Sequence, residues 1–305
     1  MTARSPCSAR APRYWLAWLF AGLLRVVSLL PLPVLALAGA ALGALGYVFA
    51  HRMRRVASIN IGLCFPELDA RTQRRYVRRH FLWLGVSLAS VGVGWWGSAR
   101  RLRRLVRITD RHYYDAAQGA HRNIILLAPH FLALDVGGIR LSIEQPVVSM
   151  YRAAKNPVTD CLLRRRARFG ATLIERSAHL KSLIRLLRSG MPFYYLPDQD
   201  PGGGDTAFAP FFGVPTATVT ALSRMARLAD ASVLPCVTRI RPWGRGYDLQ
   251  FYPPLAPYPS DDPVADATRM NATVETAVRA SPTQYLWVYK RFKTRPSAGE
   301  RSFYD

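Results

Sequence analysis

At 305 residues the chain is long enough to bury a substantial core, in one large domain or two smaller ones. Its 42 Lys and Arg against 19 Asp and Glu leave a formal charge of +23, which selects anionic partners, and a composition that is 50% hydrophobic places lipid ahead of nucleic acid among them. The four cysteines, Cys7, Cys64, Cys161 and Cys236, have neither CxxC nor Cys/His ligand spacing, which argues against a zinc site or a disulfide framework and fits a reducing, cytoplasmic setting.

The first element is apolar: Val26 to Ala50 carries no charge, and a shorter apolar piece broken by Arg25 precedes it. A transmembrane helix needs roughly 20 apolar residues. Pro31 and Pro33 leave Leu32 to Ala50 as uninterrupted helix, near the lower limit, so a spanning helix and a re-entrant or interfacial pair of helices both fit. The basic leader "MTARSPCSARAPR" admits a signal peptide as a rival reading. The apolar region, however, exceeds an h-region of about 7–15 residues and is expected to be retained. The cluster "HRMRR" that follows places the rest of the chain on the cytoplasmic side. Residues 1–55 are therefore expected to anchor the protein and residues 56–305 to form its working domain, with no repeat or linker dividing the latter.

Asp69 is placed to cap a helix in which Tyr76, Phe81, Leu84 and Leu88 recur at roughly helical spacing. Its polar side is arginine-rich, as is "SARRLRRLVRI" after it, and these faces meet either anionic headgroups or solvent. From Asn123 strand and helix patterns alternate. "NIILLAP", "PVVSMYR", "ATLIER", "PFYYLPD" and "SVLPCVTRI" read as strands; "FLALDVGGIRLSI", "NPVTDCLLRRRARFG", "HLKSLIRLLRSG" and "ATVTALSRMARLAD" read as helices. The alternation predicts an α/β fold with a mostly parallel central sheet flanked by helices. In such sheets ligands bind beyond the carboxyl ends of the strands, which puts His130, Arg176 and Asp198 at one rim, each just after a strand.

A histidine before a helix can turn back onto an aspartate in its first turns, and His130 and Asp135 have that spacing. Such a pair makes a general base: the carboxylate fixes the tautomer and stabilises the imidazolium formed on proton uptake. No G-x-S-x-G elbow accompanies it, so the base is expected to activate a hydroxyl on the substrate. Arg176 can grip a phosphate with two parallel hydrogen bonds, and Asp198 and Asp200 can orient an acceptor. "DPGGGD" reads equally as a flexible turn and is not a P-loop, because no GK[ST] follows. The apolar "FAPFFGVP", with Phe208, Phe211 and Phe212, either lines a groove for an acyl chain or packs in the core; Tyr285 and Trp287 either dock on a membrane or do the same.

"HFLALD" resembles the H-x4-D/E motif of the glycerolipid and lysophospholipid acyltransferase superfamily; "GATLIER", "LPDQDPG" and "VLPCV" are similar to its second, third and fourth blocks, in order. "NIGLCFPEL", "FAPFFGVPTATVTALSRMA" and "QYLWVYKRFKTRP" resemble the lipid A biosynthesis branch, the Kdo2-lipid A lauroyl/myristoyl acyltransferases, and the likeness runs from about Trp15 to Pro296. Two departures, Leu173 for phenylalanine in the second block and Asp198 for glutamate in the third, move the sequence away from glycerol phosphate as acceptor. The resemblance implies an O-acyltransferase at the cytoplasmic face of a bacterial inner membrane. It would carry an acyl chain from acyl carrier protein to a hydroxyl of a Kdo2-lipid IVA type precursor in lipopolysaccharide biosynthesis.

Carried over, His130 is the base, Asp135 its orienting partner, and Arg176 and Asp198 bind the acceptor or assist the transition state. Arg164, Arg165 and Arg166 would steer the acidic carrier or contact acceptor phosphates. No metal or cofactor is implied, the acyl carrier protein serving as co-substrate. Two alternatives stand beside this reading. One is acyl transfer to another lipid, a phosphatidylinositol mannoside or a lysophospholipid. The other is a non-catalytic basic protein that binds membrane or nucleic acid, for which the sequence carries no nucleic-acid motif.

Overall fold

A computed structural model describes residues 11–120, 122–175, 180–202, 206–297 and 299–305. Five helices come first: α1 (Trp15–Val27), α2 (Leu32–Phe49), α3 (His51–Cys64), α4 (Ala70–Trp96) and α5 (Ala99–Leu105). Strand and helix then alternate through β1 (Val106–Thr109), α6 (His112–Gly119), β2 (Asn123–Leu127), α7 (Leu134–Ser142), β3 (Val148–Tyr151), α8 (Pro157–Arg164), β4 (Thr172–Glu175), α9 (Leu180–Arg188) and β5 (Phe193–Tyr195). A hairpin of β6 (Thr206–Phe211) and β7 (Val214–Val219) follows, then α10 (Ala221–Ala229), β8 (Ala231–Ile240), β9 (Tyr247–Phe251) and α11 (Pro263–Ala280).

Seven strands form one sheet in the order β1-β9-β8-β2-β5-β3-β4. Every neighbouring pair is parallel except β8 with β9. The α/β expectation holds, and all five predicted strands are present. The run "NIILL" has no polar alternation because β2 is central and buried on both faces. Ile124 and Leu126 point into the core shared with α4 and α7, and Ile125 and Leu127 into the core shared with α9 and α10.

Sequence reading missed β1, β9 and the hairpin. Part of "ATVTALSRMARLAD", read as one helix, is strand: β7 ends at Val219 and α10 begins only at Ala221. The hairpin closes on Phe212 and Gly213, both at positive φ (51° and 76°). That backbone suits a tight two-residue turn, but phenylalanine at its first position hides the usual signal. Cys64 and Cys236 are free and buried, whereas Cys161 is disulfide-bonded, a departure from the expected chain without disulfides.

Asp69 caps α4 as expected, accepting the backbone N–H of Arg71 and Thr72. α2 is the one described helix long and apolar enough to cross a membrane, by length and composition. It packs antiparallel along α4: Gly39 lies against Gly85 and Val86, and Gly43 against Phe81 and Leu82. The backbones touch here, because a Cβ on Gly85 would stand 2.1 Å from the Gly39 carbonyl oxygen and 2.4 Å from the Gly43 nitrogen. Gly85→Ala should therefore cost about 1–3 kcal/mol through forced separation of the helices. Gly46→Ala, whose Cβ would meet nothing closer than 3.6 Å, should be tolerated. Thermal unfolding of the two variants in detergent checks this, and equal melting temperatures would contradict the close seam.

Candidate active site

β2 and β5 are parallel neighbours paired with Leu127 opposite Tyr195. Three residues beyond those partners lie His130 and Asp198, each directly after a proline (Pro129, Pro197) that restricts the backbone of the turn. Equal offsets from a shared register bring the two side chains to one point on the carboxyl rim. The Asp198 carboxylate, 1% exposed, accepts the His130 backbone N–H at 2.8 Å through Oδ2 and the ring Nδ1–H at 2.6 Å through Oδ1. A carboxylate is acceptor-only, so this contact fixes the proton on Nδ1 and leaves Nε2 for another partner.

Burial alone would push the Asp198 carboxyl up; the charge and hydrogen bonds of His130 outweigh it and hold the group below its usual value, with Arg291 contributing in the same direction. The depressed value means that the pair contributes stability above the ordinary carboxylate range, lost as pH falls through the lowered pKa.

The expected hydrogen bond from His130 to Asp135 does not form. Asp135 sits in the first turn of α7, where its charge suits the helix N-terminus, and it accepts from Arg166 Nη2 at 2.6 Å. The helix start aims Asp135 away from the rim, toward the turn Arg165–Ala167, while the neighbouring strand supplies the closer carboxylate. Arg164 pairs with Asp160 at 2.7 Å and lies over the Tyr151 ring. Arg165 donates to the Trp95 carbonyl at 2.9 Å and lies over Trp96. These two arginines of the expected substrate-binding run thus fasten α8 and the turn after it to neighbouring structure. Arg176 lies outside the described residues; the strand before it, β4, is at the sheet edge, two strands from β5.

Asp200 faces inward to the chain's carboxy-terminal segment, accepting from the backbone N–H and hydroxyl of Thr294 at 2.7 and 2.9 Å. Of the two readings of "FAPFFGVP", core packing describes Phe211 and Phe212. Phe211 and Phe212 are buried, Phe212 with its ring centroid 5.0 Å from that of Phe65, and only Phe208 is exposed. Tyr285 and Trp287 are buried as well, so neither docks on a membrane.

Sequence reasoning missed what closes the site. Residues 284–294 form a strap across the rim. Leu286 N–H donates to the His130 carbonyl at 2.9 Å, Leu132 N–H to the Gln284 carbonyl at 2.9 Å, and the Tyr285 hydroxyl to the Asp198 carbonyl at 3.4 Å. Gln284 is itself held by paired hydrogen bonds to Ile240. From α3, buried Asn60 donates to the carbonyls of Trp287 and Tyr289 at 2.6 and 2.7 Å. The enclosed cleft is lined by Asn60, His130, Asp198, Gln199, Tyr285, Leu286, Trp287, Tyr289 and Arg291. The polar Asn60 in the apolar run "SINIGLCF" was the one signal of this arrangement in the sequence. The arrangement can take a proton from a hydroxyl through Nε2 and hold the resulting imidazolium against a buried carboxylate.

The family model of the bacterial lipid A biosynthesis acyltransferases matches residues 3–294. The chain is 36% identical to the lipid A biosynthesis lauroyltransferase of Escherichia coli (strain K12) over 93% of this chain and 94% of the relative. It is 34% identical to the palmitoleoyltransferase of the same organism over 96% and 95%, and 31% identical to its myristoyltransferase over 94% and 90%. With the match running through the N-terminal helices, the sheet and the whole strap, the chain belongs to the family of bacterial lipid A biosynthesis acyltransferases.

Proposed function

We propose that this acyltransferase moves an acyl chain from acyl carrier protein to a hydroxyl of a Kdo2-lipid IVA type lipid A precursor, with His130 as general base and Asp198 as the carboxylate that orients it. The observation that carries the reading is the His130 ring held by Nδ1 on a buried carboxylate, in a cleft closed by the strap. The acceptor hydroxyl gives its proton to Nε2 as its oxygen attacks the thioester carbonyl, and the imidazolium returns the proton to the departing thiolate. No acyl-enzyme is needed, positioning supplies much of the barrier reduction, and the step calls for no metal or cofactor. The +23 charge supports an acidic carrier and an anionic acceptor. The relatives are named for three different acyl chains, so chain length does not follow from family membership.

Acyl transfer from carrier proteins loaded with C10 to C16 chains to Kdo2-lipid IVA, by detergent-solubilised protein, tests the proposal. Parent protein should form product, and His130→Ala should form none. Asp198→Asn should lose about 10⁴-fold in kcat, the order seen when a triad aspartate becomes asparagine. Asp135→Asn and Arg166→Gln should resemble each other, and the double variant should be no worse than either, because each removes the same ion pair. Product at the parent rate from His130→Ala would overturn the base assignment. Transfer only to a lysophospholipid or a phosphatidylinositol mannoside would move the acceptor.

The working face is proposed to lie at the cytoplasmic leaflet of the inner membrane, with α1 and α2 embedded in that leaflet and not crossing it. Exposed Trp15, Leu19, Phe20 and Leu23 on α1 and Leu37, Leu45 and Phe49 on α2 support the embedding. The seam with α4 supports the shallow placement. Phe81 lies level with Gly43, so exposed Arg78 and Arg79 stand roughly 8 Å from the midpoint of α2 at about 1.5 Å per residue. A bilayer centred on α2 would bury both in its ~30 Å hydrocarbon core, at about 2.5–3.5 kcal/mol each for a central position. The start of α2 is also tied to the domain: Arg101 donates to the Leu30 carbonyl at 2.7 Å, and Gly244 abuts Pro33. Single cysteines at Arg13 and Arg52 should both react with a membrane-impermeant maleimide in inverted vesicles and neither in intact spheroplasts. Labelling of Arg13→Cys from outside would establish a spanning helix instead.

A further inference from the structure

One charged group in the cleft is left over by the His130 and Asp198 pair. Arg291 lies on the strap, is 2% exposed and lines the same cleft. Its Nη1 donates to the Ala217 carbonyl at 2.9 Å and its guanidinium sits 5.4 Å from the Phe211 ring centroid. Its Nε and Nη2 are buried and have no hydrogen-bond partner among the described residues. Asp198, the carboxylate of the cleft, has both oxygens committed to His130. An unpaired buried guanidinium is costly, and the free Nε and Nη2 edge is the one with which arginine grips an oxyanion through two parallel hydrogen bonds.

We propose that this edge receives the negative oxygen that develops on the thioester carbonyl during acyl transfer, which makes Arg291 a catalytic residue of the cleft. The inference rests on the acyl-transfer reading above. As the acceptor oxygen bonds to the carbonyl carbon and its proton passes to His130 Nε2, the carbonyl π pair moves onto oxygen, and Nε–H and Nη2–H of Arg291 hold that charge. When the carbonyl re-forms, the carbon–sulfur bond breaks, and the thiolate leaves with the proton returned by His130. Both nitrogens are buried and unpartnered, so a head group delivered on an acyl chain meets little competition from solvent. An oxygen brought in neutral on the acyl chain, and charged only as the bond forms, meets donors already in place.

Two arms test the proposal. In the transfer assay Arg291→Met should lose about 10²–10³-fold in kcat, the effect of deleting an oxyanion donor. KM for donor and acceptor should stay within about threefold, and the melting temperature should be unchanged or higher, as apolar replacement of a buried charge permits. Arg291→Lys should recover only part of kcat, because a point charge lacks the fork. A loss confined to KM, or a fall in melting temperature that accounts for the lost activity in both variants, would overturn the assignment.

The second arm needs no turnover. Dodecylphosphonate, whose charged oxygens imitate the intermediate at the head of an acyl chain, should raise the melting temperature of the parent and of His130→Ala but not of Arg291→Met. Equal stabilisation of all three, or none of the parent, would overturn the proposal. If the parent transfers no acyl chain yet the phosphonate effect depends on Arg291, the transfer reading fails and the oxyanion site stands.

Discussion

Everything at the rim depends on one buried carboxylate. Asp198 accepts from both the backbone and the ring of His130, so a single side chain sets where the turn after β2 lies and which imidazole nitrogen is left for chemistry. Such a carboxylate survives burial only because the donors compensate its lost hydration. The compensation comes from His130 itself, so the same contacts set the placement of the turn and the orientation of the ring. The equal offset of the two residues from a shared strand register explains why the contact exists without any close sequence spacing between them.

The strap extends the same logic. Residues 284–294 hold the backbone of His130, that of Asp198 and the side chain of Asp200, while Asn60 of α3 holds the strap in turn. α3 continues directly from the apolar α2, so the apolar N-terminal segment reaches the strap that closes the cleft through Asn60. A water-excluding cleft strengthens every charge interaction inside it. A closed cleft suits an acyltransferase, whose reactive acyl group must be kept from hydrolysis.

Much of this was legible in the sequence. Long periodic segments announced themselves: α4 with its Asp69 cap, the amphipathic α9, and the uninterrupted apolar β2. Strand ends placed His130 and Asp198 at one rim because parallel α/β sheets put ligands there. The pairing within the rim was not legible. The H-x4-D spacing favoured Asp135 as the partner, and only the order of β2 beside β5, a non-local fact, reveals Asp198. The arginine run at 164–166 shows in the sequence as charge alone, without the partners that the fold gives it, Asp160, the Trp95 carbonyl and Asp135. Phe211, Phe212, Tyr285 and Trp287 stayed open between groove or membrane contact and core packing, since the short β6 and β7 hairpin and the irregular strap that bury them have no strong periodicity.

The most direct measurement is of the His130 ring itself, by NMR of protein selectively labelled with ¹⁵N-histidine in detergent at neutral pH. The account predicts a proton on Nδ1 of His130 with a resonance shifted far downfield by the short bond to a carboxylate. That signal should persist in Asp135→Asn and disappear in Asp198→Asn. A signal that survives in Asp198→Asn and is lost in Asp135→Asn would contradict the account and restore the pairing within the H-x4-D motif.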